Sequence, residues 1–254
     1  MPSVNDNFSK HISNQFNIEL EQIRTQMLSM GGMVERQVSD AIDALINGNV
    51  ELAEKTRERD KLANQMEMDI DQQCTKIIAL RQPAASDLRL IIAISRVASD
   101  LERIGDESGR ISKHAIEIAN QPSRQPQIGY QEVRHIGNLV IEMVRDVLTA
   151  FSRGDLEMAY KVAKRDREVD QEYRSAIRSL VTYMMEDPRS ITVVLNVMWI
   201  LRSLERIGDH ARSIAIHLIY QVSGEDVRHK SLREIKEAIH DSSPEDESDS
   251  YQSE

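Results

Sequence analysis

An all-α fold, six long helices forming two similar antiparallel three-helix bundles, follows from three features of the sequence. Glycine (10), proline (6) and aromatic residues (4%) are scarce in a chain of 254, and Leu, Ile, Val, Met, Ala, Glu and Arg dominate, as in long helices. Apolar residues recur at helical spacing between the turn signals, and no alternating strand pattern competes. Most tellingly, the chain repeats itself. A Gly-Asx break (INGNVELA, 46–53; SRGDLEMA, 152–159), a proline break (ALRQP, ending at Pro83; MMEDP, ending at Pro188) and the string LERIGD recur in one order at an offset of 103–106 residues. An internal repeat of this size sets the architecture before any single element does.

The elements follow in order. Leu20, Ile23, Met27, Val34, Val38 and Leu45 fall near one face of a first helix, which Gly48 ends. Asn49 is placed to cap a second helix, whose apolar face is Leu52, Leu62, Met66, Ile70, Ile77 and Leu80. After Pro83, Ser86 is the expected cap of a third, carrying Leu90, Ile94, Val97, Leu101, Ile104, Ile111 and Ala115. The second half predicts helices over 130–152, 155–186 and 189–221, with Asp155 and Ser190 as caps and Trp199 and the methionines in the core. The segment QPSRQPQIG, 121–129, with its two prolines marks the boundary, so the expected organisation is a first bundle over 1–122, a linker over 123–129, a second bundle over 130–224, and a short amphipathic helix with an acidic tail over 225–254.

Composition excludes several classes. A single cysteine, Cys74, permits no internal disulfide and suits a reducing compartment. The N-terminus lacks a basic-then-apolar signal pattern, and the apolar runs LIIAI and ITVVLNVMWIL are too short to span a bilayer. The expected location is therefore cytoplasmic. The formal charge of −10 argues against nucleic acid as partner, although six of those acids lie in the tail from Asp241 onward, which reads as solvated. No phosphate loop, nucleophile–His–acid set or zinc motif is present, which points away from an enzyme.

The repeated string carries the chemistry. Glu102 and Asp106 stand four apart on one helix face, as do Glu205 and Asp209, and helical arithmetic turns both pairs away from the apolar stripe. Hairpin geometry brings further acids to the same level. Asp106 lies 23 residues after Pro83 and Asp60 lies 23 before it; Glu102 and Asn64 are both 19 away. Around Pro188, Asp209 (21 after) meets Asp166 (22 before), and Glu205 (17) meets Asp170 (18). Each half thus predicts an oxygen-rich pad suited to hard or borderline cations such as Fe, Mn, Mg or Zn. The alternative is pairing with arginines, which recur every seven residues at Arg89, Arg96, Arg103 and Arg110. His210 and His217 read as solvated or partly packed residues rather than a ligand pair.

LERIGD twice at this spacing, ALRQP followed by DLR, and the two-bundle repeat resemble the PhoU family across nearly all of residues 8–228. The resemblance implies six helices in two bundles. It also implies metal ligation through E-x-x-x-D pairs, in some members as multinuclear iron clusters, carried here onto Glu102, Asp106, Glu205 and Asp209; Asp60, Asp166 and Asp170 rest on the hairpin geometry. It further implies repression of the phosphate-starvation response by linking the phosphate transporter's ATPase subunit to a sensor histidine kinase, with the membrane approached only through partners and a homodimer as the expected assembly. The chain departs from the family after the motif, reading ESGRIS and HARSIAI where His-Ala-x-Asn-Ile-Ala is usual. Two other readings stay open: a metal-free helical adaptor with the same partners, and a di-iron carboxylate oxidase built on Glu132-x-x-His135 and Glu237-x-x-His240.

Overall fold

The computed structural model describes residues 4–121 and 127–241. Seven α-helices occupy them: α1 (Val4–Asn47), α2 (Val50–Arg81), α3 (Ala85–Ala119), α4 (Tyr130–Arg153), α5 (Leu156–Glu186), α6 (Ile191–Ser223) and α7 (Leu232–Asp241), with one 3-10 turn over Pro188–Ser190. Six of them are the long helices of the repeat, and the seventh is the short amphipathic segment. The acidic tail beyond residue 241 and most of the proline-bearing linker lie outside the described residues.

The repeat shows in the local chemistry. Gly48 and Gly154 end α1 and α4 at φ +63° and +67°, where a side chain would be strained. Asn49 and Asp155 then cap the next helices, accepting from Leu52 N and Met158 N at 3.0 and 2.9 Å. The proline breaks behave less uniformly. Ala84, not Ser86, is the N-cap of α3. Ser190 precedes α6 without capping it, and Asp187 instead accepts from Arg189 N inside the 3-10 turn.

Helices α1–α3 pack together, as do α4–α6, and the halves meet along α1 against α4 and α3 against α6. Leu101, Ile104, Leu204 and Ile207 are fully buried, and one continuous apolar core runs through both halves. The α1–α4 contact is close and antiparallel. A Cβ on Gly31 would lie 2.4 Å from Leu148, and one on Gly137 would lie 2.6 Å from Ile42. The α3–α6 contact is also antiparallel and is polar along part of its length. Buried Asp100 accepts from His210 Nδ1 at 3.0 Å and lies 3.2 Å from His217 Nε2, Arg206 lies 3.1 Å from Glu107, and His114 meets Asn196 at 2.8 Å.

Several expectations about the core do not hold: among the methionines, Met68 and Met185 are 54% and 79% exposed. Trp199 is 60% exposed, stacked on His114 at the edge of the α3–α6 contact. Leu62 and Leu80 are 52% and 67% exposed, because α2 has neighbours only on the side of α1 and α3 and its apolar stripe is wider than that contact. No helix among the described residues is long and apolar enough to cross a membrane.

Candidate functional site

The α2–α3 hairpin sets the register of the first pad. Ser95 donates to Asp71 at 2.7 Å and Ser99 donates to Glu67 at 2.9 Å, one helical turn apart. Continued along the hairpin, that register places Asn64 beside Glu102 and Asp60 beside Asp106, as the distances from Pro83 require. Burial first, then the Asp106 carboxylate, pushes the Asp60 carboxyl above its usual range. Burial first, then Asp106, Glu67 and Asp60, does the same to Glu102. Like charges are therefore held together in a partly desolvated groove, which disfavours the ionised forms.

The second pad lies in the α5–α6 groove. Asp166 is the most buried of this pad's acids, at 7% exposure; burial and then Asp209 push its carboxyl up to about 6. Burial first, with Asp209 next for Glu205 and Asp170 next for Asp209, raises those two as well. All seven acids expected from the sequence thus fall into two grooves, Asp60, Glu102 and Asp106 in one and Asp166, Asp170, Glu205 and Asp209 in the other.

The expectation that the acids point away from the protein needs correction. Only Asp209 is exposed; the other six are half-buried or buried. A wheel drawn against one apolar stripe treats each helix as having one neighbour, but α3 packs on α1, α2 and α6, and α6 on α3, α4 and α5. The motif's carboxylates therefore sit in the groove beside the hairpin partner.

The arginine alternative divides the two pads. In the second, Arg202 lies 2.7 Å from Glu205, Arg174 lies 3.6 Å from Asp170 and Arg212 lies 3.7 Å from Asp166. In the first, Asp60, Glu102 and Asp106 have no ion pair among the described residues. Three of the four arginines at the seven-residue interval are engaged elsewhere, Arg110 with Glu107, Arg96 over the Tyr220 ring and Arg89 with the Gln221 carbonyl, while Arg103 acts on Glu102 only from beyond ion-pair distance.

The first pad also holds a residue that sequence reasoning missed. Gln37 of α1 is fully buried, and neither its Oε1 nor its Nε2 has a hydrogen-bond partner. Its Oε1 and the Asp60 Oδ1 lie 3.5 and 3.8 Å from the place a Cβ of Gly105 would occupy. The repeat contained the signal: Val140 takes the corresponding place beside Gly208, so Gln37 is an amide at an apolar core position.

The donor set suits a cation. Asp60 Oδ1, Asn64 Oδ1 and Gln37 Oε1 are buried oxygens without partners, the kind of atom a hard cation satisfies. No three His, Cys, Asp or Glu side chains among the described residues close around one point. The first pad therefore offers an open half-site of carboxylate and amide oxygens rather than a finished cage.

The PhoU domain matches residues 27–115 and 133–217, one copy per half and more than half of the chain. The chain belongs to the PhoU family. It is 55% identical to the phosphate-specific transport system accessory protein PhoU homolog of Pseudomonas aeruginosa over 234 residues, 92% of this chain and 96% of that one. It is 48% identical to the PhoU of Escherichia coli over 233 residues, 92% and 95% of the two chains. The crystal structure of PhoU from Pseudomonas aeruginosa superposes with a TM-score of 0.80 at 55% identity, covering 83% of this chain and all of that one. The phosphate transport system regulatory protein PhoU from Streptococcus pneumoniae superposes at 0.76 with 30% identity, covering 84% and 99%. The PhoU fold thus accounts for the doubled LERIGD string, one copy on α3 and one on α6.

Proposed function

We propose that this PhoU-family chain is a non-enzymatic, cytoplasmic regulator of phosphate uptake and phosphate-starvation signalling. In this reading it binds cations through its acidic grooves and links the phosphate transporter's ATPase subunit to a sensor histidine kinase, acting as a homodimer. Relatives at 48–56% identity that carry the name of phosphate-transport accessory protein support the regulatory part. The cation part rests on one observation: the first pad holds partly buried carboxylates together, and none of them is in an ion pair among the described residues. Asp60, Glu102 and Asp106, with the amide oxygens of Asn64 and Gln37, would hold the ion there. A bound ion neutralises the pad and stiffens the α2–α3 hairpin.

For the second pad the arginine pairing favours a different emphasis. Asp166, Asp170 and Glu205 already have cationic partners, so a metal there has to displace guanidinium groups and binds more weakly. Elemental analysis of purified protein, followed by metal titration with Fe(II), Mn, Mg and Zn, tests the cation reading. Retention of the purified ATPase subunit and of the kinase's cytoplasmic portion on immobilised protein tests the partners. A metal-free preparation that also fails to respond to added metal removes the cation part, and no retention of either partner removes the linking part.

A further inference from the structure

Beside the first pad lies an open cleft of about 720 Å³. Asp60 and Asp106 line it, together with Arg57 and Lys61 of α2 and Arg110 and Lys113 of α3. Glu54 and Glu58 line it too, so four cationic and four carboxylate side chains leave it close to neutral. Its cations are not equally committed. Arg110 is held by Glu107 at 2.7 Å and Lys113 lies 3.9 Å from Glu117, whereas Arg57 and Lys61 have no ion-pair partner among the described residues.

The second half does not repeat this cleft. At the offsets of Asp60 to Asp166 and Asp106 to Asp209, the places of Arg57, Lys61, Arg110 and Lys113 are taken by Ala163, Arg167, Ser213 and Ile216. In the opposite sense, the second pad has Asp170 where the first has the neutral Asn64. One half has more acid and supplies its own arginines; the other has less acid and a cationic rim facing open space.

We infer that the first pad, once it carries a divalent cation, binds a doubly charged tetrahedral oxyanion, inorganic phosphate, between that cation and the side chains of Arg57 and Lys61. The inference rests on the cation reading proposed above. A hard divalent ion held by one or two carboxylates keeps coordination positions open, and phosphate oxygens commonly fill them. The ion also turns a near-neutral cleft into one with two surplus positive charges, matching hydrogen phosphate. Arginine adds a planar fork suited to two phosphate oxygens, and lysine adds a mobile point charge. Without the cation, Asp60 and Asp106 repel the anion, so the two ligands bind cooperatively.

Calorimetric titration of the full chain tests this. Mg²⁺ alone is titrated first, then inorganic phosphate at saturating Mg²⁺, then phosphate with chelator. Phosphate is expected to bind with Mg²⁺ present and about tenfold or more weakly without it. Arg57→Gln with Lys61→Gln is expected to leave Mg²⁺ binding intact and to weaken phosphate by about tenfold or more. No response to Mg²⁺, Mn²⁺ or Fe²⁺ sinks the cation reading and this inference with it. A metal response with no phosphate response, or equal phosphate binding by the double variant, overturns only the inference. Sedimentation with phosphatidylcholine vesicles containing phosphatidic acid separates free phosphate from a lipid phosphomonoester. The proposal expects no Mg²⁺-dependent co-sedimentation; co-sedimentation abolished by the double variant would assign the cleft to lipid and overturn it.

Discussion

Replacing Gln37 with Leu should make the metal-free protein more stable. The side chain is fully buried on α1, and both ends of its amide lack partners. A buried donor or acceptor left unsatisfied costs about 1–3 kcal/mol. Leu has nearly the volume of Gln, so the exchange removes two such groups without opening a cavity. Taking the low end for each atom gives about 2 kcal/mol of stabilisation. At about 2.1 cal/mol/K of unfolding entropy per residue, a chain of 254 residues has about 0.5 kcal/mol per kelvin, so the melting temperature should rise by about 4 °C. Calorimetry or circular dichroism in chelator measures this. The same scan with added Mn²⁺ should show a smaller metal-induced rise in the variant, because the Gln37 oxygen is no longer available beside Asp60. An unchanged or lower melting temperature in chelator would refute the reasoning, since it means that the amide is satisfied and does not face the pad.

The pads themselves give a paired prediction. Glu102→Ala with Asp106→Ala removes a like-charge pair, worth about 0.2–0.5 kcal/mol at this spacing, and strands no arginine, so metal-free stability should hold or rise slightly. Glu205→Ala with Asp209→Ala frees the half-exposed Arg202 and should change metal-free stability by less than about 1 kcal/mol. Melting curves with chelator and with metal should show the first double variant losing most of the metal-induced gain; an equal gain in the parent and both variants would remove these residues as ligands. Leu101→Asp and Leu204→Asp each put an unpaired charge at a fully buried position, cost several kcal/mol and should prevent accumulation of folded protein, which a soluble-expression assay reads. Asp100→Ala strands His210 and His217 in the α3–α6 contact and should destabilise by about 1–3 kcal/mol, checked by urea denaturation; parental stability would mean that this network contributes nothing.

Much of the fold was legible because the signals are local or repeated. Asn49 and Asp155 are identifiable as caps because each follows a glycine that ends a helix and precedes a Glu in the next turn, and the same sentence occurs twice. The hairpin register was legible because a proline break fixes the turn and distances from it pair residues across two helices. What was not legible depends on a third neighbour. Whether Trp199 is covered depends on which side of α6 faces α3, and no periodicity within α6 carries that. The half-burial of Glu102 and Glu205 has the same origin, since a wheel counts one apolar stripe while α3 and α6 each pack on three helices. Ser86 failed as a cap because α3 begins at Ala85, two residues before the Asp87 start that such a cap requires. Asp100 was legible in principle: an acid directly before Leu101 in an apolar stripe requires a partner, and burial alone would raise its carboxyl. Hydrogen bonds from His210, His217 and Ser213 instead draw it down to about 2.

The polar α3–α6 contact bears on how the two pads behave together. Asp100 and Glu107 stand next to the first pad's Glu102 and Asp106 on α3, and Arg206 and His210 stand next to the second pad's Glu205 and Asp209 on α6. Four helices therefore lie in a row, α2, α3, α6 and α5, with a charged groove, a bonded seam and a second charged groove between successive members. Neither α3 nor α6 can rotate about its axis to meet an ion on one side without dragging the Asp100–histidine and Glu107–arginine bonds on the other. If both grooves take an ion, as proposed above, this seam is the path by which one could influence the other, and by thermodynamic reciprocity any such effect would be equal in both directions. The seam thus joins the two copies of the three-helix repeat by charged bonds that run directly between their acidic grooves.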